Sequence, residues 1–204
     1  MLFVKKISDR FLLGVLSGLG ANIPKLVIAR TAKKLKLVEI DGPEKAAGML
    51  VPPHSLILPA GKIVGYLADS VIAGMLGIVM VYLLSITGKD KAVWKGALAG
   101  QSMWVGLYGV LASFGATKVQ PVSPTTVLSE FFAHTAYGAA AAALAVTLGA
   151  KEIFTGKIPL SASNQTGSQE HSLKVARFLP RTDQRYTYAG LDNKARKWSR
   201  KDAG

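Results

Sequence analysis

"IVGYLADSVIAGMLGIVMVYLLSI", residues 63–86, decides the fold. It carries one charge, Asp69, and no proline, and it exceeds the ~20 mostly apolar residues that a helix needs to cross the hydrocarbon of a bilayer. Around it the chain keeps the same character. Half of its 204 residues are hydrophobic, yet its formal charge is +13. The apolar residues fall in long blocks and the charges between or after them, which is the segregation of a membrane protein rather than of a soluble core.

Three further blocks read as spans. "FLLGVLSGLGANIPKLVIA", 11–29, is flanked by Lys5, Lys6 and Arg10 before it and by Arg30, Lys33, Lys34 and Lys36 after it. Pro24 and Lys25 interrupt it, so a re-entrant or interfacial segment competes with a full crossing. "TGKDK" turns the chain from residues 63–86 into a block at 92–116, and the last runs over 126–150. Ser123 and Pro124 read there as an N-cap and first helical position. The expected fold is all-α: a polytopic helical domain over 1–150 and a polar, basic tail over 151–204. The loop between the first two spans, which holds Pro52, Pro53 and Pro59, reads as an extended segment on the membrane surface. The first block shows no small-residue cleavage pattern of a signal peptide, so an uncleaved, inserted chain is expected. With no cysteine, disulfides, thiolate metal sites and Cys nucleophiles are excluded.

Lysine and arginine counts set the expected orientation. One side holds three before the first span, three around the second turn and eleven in the tail, against seven on the other. Both termini are therefore expected in the cytoplasm.

Gly14 and Gly18, and Gly96 and Gly100, are spaced four apart, which leaves a flat groove for a closely packed helix. Packing among the spans themselves is the ordinary reading, and docking on a second copy or a larger partner the functional one. Lys25, Asp69, Glu130 and His134 are the polar residues inside the blocks. Alternating topology places them near one membrane surface, with Glu130 and His134 one turn apart on one helix face. An ion-pair network that fixes the bundle register is the ordinary reading. A proton or ion relay through His134, which titrates near neutral pH, is the sharper one. A metal site of Asp69, Glu130 and His134 would lack a second His, and no metal or other cofactor is predicted. Gln101 reads as an interhelix hydrogen-bonder and Lys95 as a snorkelling interface lysine. His54 and His171 read as solvated.

No phosphate loop, nucleophile elbow or zinc-binding HExxH motif is present, so no enzyme is expected. The tail mixes Arg177, Arg181, Arg185, Arg196 and Lys197 with Phe178, Tyr186, Tyr188 and Trp198. It lacks an RNA-binding module, so nucleic acid is an unlikely ligand. Anionic lipid headgroups or a cytoplasmic protein partner suit it better.

"WKGALAG" (94–100) followed by "SEFFAH" (129–134) resembles the YagU-like and YqhR-like small bacterial membrane proteins. The likeness covers about residues 60–150. It implies an all-helical protein of the bacterial inner membrane and no biochemical activity. From the residues, the leading expectation is a non-catalytic integral membrane subunit or scaffold, docking through its glycine faces and tail. The alternative is a small proton or ion transporter built on Lys25, Asp69, Glu130 and His134.

Overall fold

A computed structural model of the chain describes residues 6–111, 113–115, 123–156 and 158–163. These are helical throughout, apart from turns and one isolated bridge. The order is α1 (Arg10–Lys34), α2 (Gly42–Leu50), a 3-10 turn (Pro53–Ser55), α3 (Pro59–Thr87), α4 (Ala92–Trp104), π-helical turns (Val105–Leu111), α5 (Pro124–Leu148) and a 3-10 turn (Lys151–Phe154). Among the described residues α1, α3 and α5 are long and apolar enough to cross a membrane. Within the block expected to span, 92–116, the described residues form a 13-residue α-helix continued by π-helical turns.

The first apolar block is one continuous helix despite Pro24. Its start is fixed by Asp9, whose side chain accepts a hydrogen bond from the Leu12 amide at 2.8 Å. Along its inner face Gly14 meets the Ile78 backbone, and Gly18 meets the Ala73 carbonyl and Gly77 of α3. On α4, Gly96 meets Gly138 and Ala142 of α5, and Gly100 meets the His134 carbonyl. Both glycine pairs therefore face helices of the same chain. In lipid, where apolar burial no longer drives association, such backbone-to-backbone contact is a main source of helix affinity. Gln101 adds an amide-to-hydroxyl bond to Thr135 at 3.3 Å, the interhelix role expected for it. Lys95 grips the turn before its own helix, donating to the Thr87 and Gly88 carbonyls and to Asp90 at 2.7, 3.1 and 3.0 Å.

The loop after α1 departs from the expected extended segment. Residues 42–50 fold into α2, because Asp41 and Glu44 form a reciprocal capping box, each side chain accepting from the other's amide at 3.1 Å. Such a box satisfies two of the donors that a helix start leaves orphaned. Lys33 of α1 pairs with Glu44 and lies 3.9 Å from Asp41. A close approach of Gly65 to the Pro43 carbonyl seats the new helix on α3.

At the opposite end the described residues beyond Ala150 pack back on the bundle. Ile153, Phe154, Ile158 and Ala162 are buried there. Arg10 explains why. It is 1% exposed, and its guanidinium donates to Ser85 Oγ at 3.1 Å and to the carbonyls of Ile153, Ile158, Pro159 and Ala162 at 3.3, 2.8, 2.8 and 2.6 Å. Only a planar fork of five donors can serve so many acceptors at once. The Ile7 amide bonds the Leu148 carbonyl, and the Ala150 amide bonds the Ile7 carbonyl, at 2.9 and 2.8 Å. The start of α1, the end of α3 and the end of α5 are thus stitched together.

Two outcomes are expected. Gly18→Ala or Gly138→Ala forces a methyl into a carbonyl of the facing helix and should lower stability by about 1–3 kcal/mol, read as earlier thermal unfolding in detergent micelles. Gly74→Ala, whose added carbon would lie 3.9 Å from Val15, should unfold like the parent. Arg10→Lys cannot reproduce the fork, so amide exchange over residues 151–156 should speed up at least ~10-fold, given ~1.5–3 kcal/mol per charge-assisted bond. Unchanged exchange would refute the clamp.

Candidate functional site

The four polar residues singled out from the sequence come together, joined by side chains that the sequence reading passed over. Lys25 of α1 donates to Asp69 Oδ1 of α3 at 2.6 Å, and Asn22, one turn earlier on α1, donates to Asp69 Oδ2 at 2.9 Å. Both Asp69 oxygens are thereby engaged from a single helix. Glu130 pairs with Lys45 of α2 at 2.5 Å rather than with Lys25. Lys45 is 1% exposed and Glu130 7%. His134 donates from Nδ1 to the Glu130 carbonyl at 2.8 Å. A carbonyl only accepts, so this bond fixes the neutral ring as the Nδ1–H tautomer. Tyr137, one turn beyond His134, donates its hydroxyl to the Ala73 carbonyl at 2.6 Å and ties α5 to α3.

These groups surround a cavity lined by Lys25, Lys45, Asp69, His134 and Tyr137. It admits about one water molecule. Asn22 Oδ1 is buried without a hydrogen-bond partner among the described residues. α2 roofs the cavity from the loop side. Gly42, the first residue of α2, lies against Asp69 and Lys25, so the start of this helix faces the Asp69 carboxylate. Asp69 and His134 lie ten residues inside α3 and α5, or ~15 Å along each axis.

The arrangement favours charge pairing over chemistry. Each interior carboxylate has a lysine from another element against it, and removing one partner of such a pair leaves a buried charge uncompensated. Among the described residues no three His, Cys, Asp or Glu side chains lie close enough together to hold a metal ion. The glycine pairs are engaged within the bundle, His54 is exposed, and His171 and the tail residues Arg177, Phe178, Arg181, Arg185, Tyr186, Tyr188, Arg196, Lys197 and Trp198 lie outside the described residues.

Two participants were not singled out from the sequence. Lys45 sat in the loop taken as extended, and the signal that could have found it was the Asp41-x-x-Glu44 capping box preceding it. Asn22 lies one turn from Lys25 on the same face of α1, a spacing that could have found it.

Compared with known proteins, the chain matches no family model, no curated protein and no solved structure.

Asp69→Ala should destabilise the protein by about 3–5 kcal/mol, while Lys25→Met combined with Asp69→Leu should recover most of that loss. Denaturant unfolding of the single and double variants in micelles measures the coupling. Additive losses would mean that the two side chains act independently.

Proposed function

We propose that this chain is a non-catalytic integral membrane protein that serves as a subunit or scaffold of a larger membrane assembly. In this reading α4 and the π-helical turns after it cross as a fourth span beside α1, α3 and α5. Residues 92–111 reach nearly the ~30 Å of the hydrocarbon. The lysine and arginine balance supports cytoplasmic termini, and the likeness of residues 94–100 and 129–134 to YagU-like and YqhR-like proteins supports a bacterial inner membrane.

One observation carries the proposal: the interior charges are paired across element boundaries, Lys25 with Asp69 and Lys45 with Glu130. Such pairs hold helices in register and, among the described residues, engage both interior carboxylates with lysines. Because Gly14, Gly18, Gly96 and Gly100 are engaged within the chain, partners would be met through the lipid-facing surfaces and the basic, aromatic tail. Trp94, Leu98 and Val105 give α4 and the turns after it an exposed apolar flank for this purpose.

The cavity beside His134 favours a second reading, a small proton or ion transporter. Flux in liposomes separates the two. A transporter loses flux in Glu130→Gln or His134→Ala while its assembly state is unchanged.

The direct test is native gel separation of gently solubilised membranes, with mass spectrometry on each band that contains the chain. Comigration with defined proteins at fixed ratio is the expected result, and truncation after residue 165 should release them. Migration as a lone chain or a homo-oligomer would sink the subunit reading.

A further inference from the structure

At the loop-side end of the bundle a second cleft, of about 200 Å³, opens between the end of α1, α2 and the first turns of α3. Lys33, Asp41, Glu44, Lys62 and Tyr66 supply its polar lining. Its two acids are already engaged. Asp41 and Glu44 cap α2 and share Lys33. Burial, and then the neighbouring Glu44 charge, raises the Asp41 carboxyl above its usual range and so weakens its hold on negative charge.

Two cations are not engaged in this way: Lys62 of the lining, and Arg30, which lies outside the lining but is bonded to Tyr66 within it. Among the described residues no carboxylate lies within ion-pair distance of Lys62 or Arg30. Arg30 is held in place nonetheless. Its guanidinium lies 5.0 Å over the Tyr66 ring and donates to the Tyr66 hydroxyl at 3.2 and 2.7 Å. An oriented guanidinium held on Tyr66, one helical turn from Lys62 on α3, offers the groups that recognise phosphate oxygens, the fork giving geometry and the ammonium charge.

The surroundings of this pair suit a membrane interface. Leu35, Leu37, Leu50, Ile57 and Leu58 are exposed at the same end, apolar side chains that are most stable dipped into the headgroup boundary. From the cleft, Ile63, Leu67, Val71 and Met75 run down α3 at four-residue spacing, each about 60% exposed. They form an unbroken apolar track alongside Lys62 and Tyr66.

We propose that this cleft binds the phosphate headgroup of an anionic phospholipid, with Arg30 and Lys62 on the phosphate and an acyl chain along Ile63, Leu67 and Val71. The apolar track decides for a lipid over free phosphate, since a soluble anion would have no use for it. The inference needs only that α1 and α3 lie in a membrane, so it stands or falls separately from any partner protein.

Native mass spectrometry of the full chain released from nanodiscs provides the test, with phosphatidylglycerol and phosphatidylcholine offered in equal amounts. Phosphatidylglycerol should be retained preferentially. Arg30→Gln and Lys62→Gln should each reduce its retention about fivefold, the equivalent of ~1 kcal/mol per cation. Tyr66→Phe, which removes only the hydroxyl that orients Arg30, should reduce it less. Lys34→Gln, an exposed charge one turn beyond Arg30 on α1 that neither lines the cleft nor bonds to Tyr66, should leave it unchanged. Equal retention of the two lipids overturns the proposal. So does an equal loss in Lys34→Gln, which would reveal diffuse attraction to a basic surface. Complete displacement by millimolar inorganic phosphate would overturn the lipid assignment in favour of a soluble anion.

Discussion

The close contact of α1 with α3 is the constraint on which the rest of the molecule depends. Gly14 lies on Ile78, Gly18 on Ala73 and Gly77, and Asn22 reaches Asp69. Each step of four along α1 is answered by a step of about four back along α3, as expected of two antiparallel helices packed at backbone distance. That register alone brings Lys25 to Asp69. A side chain larger than hydrogen at Gly18 would separate the helices where the pair forms, and the 2.6 Å salt bridge would open. The α4–α5 contact repeats the design, with Gly96 on Gly138 and Gly100 on the His134 carbonyl.

Features written in long-range composition were legible in the sequence. Residues 63–86 and 126–150 announce helices through apolar length alone, and Gly14, Gly18, Gly96 and Gly100 announce close packing through spacing. The four interior polar residues stand out because few other polar groups lie within those blocks. Features that depend on a local cap or on three-dimensional convergence were not legible. α2 is nine residues long, too short to be stable by propensity, and the prolines around it mask its capping box. Arg10 looked like one more flanking charge because its four carbonyl partners lie beyond Ala150, in a stretch whose polarity reads as tail. The interruption at Pro24 argued for a broken segment, whereas α1 has neighbours on both sides, α3 and α5, to hold the helix through the proline.

The two ends of the bundle are closed by opposite means. At one end a single cation, Arg10, gathers backbone carbonyls of residues 153–162 against the start of α1 through Ile153, Ile158, Pro159 and Ala162. Carbonyl dipoles solvate the guanidinium there without adding charge. At the other end α2 closes the gap by inserting a cation, Lys45, against a carboxylate, Glu130. The first closure relies on hydrogen bonds to backbone and tolerates sequence change in the strap. The second relies on two side chains and does not. The cavity sits beneath the second, so access to Asp69 and His134 from that end is governed by how firmly α2 is held.

This bears on why ion pairs are kept inside a bundle at all. Replacing a buried pair with well-packed apolar side chains is often neutral or stabilising, and in lipid an apolar replacement has no shortage of compatible surroundings. What an apolar replacement cannot do is fix one position among several near-equivalent ones. A nine-residue amphipathic helix lying across apolar α3 could slide by a turn with little change in buried area. Lys45 removes that freedom, because a shift of one turn would leave both it and Glu130 as uncompensated charges in a low dielectric. The capping box fixes where α2 begins, Lys33 ties that beginning to the end of α1, and the Lys45–Glu130 pair fixes its depth against α5. Three weak local devices thus define one position, and that position both roofs the interior cavity and forms a wall of the outer cleft beside Arg30 and Lys62.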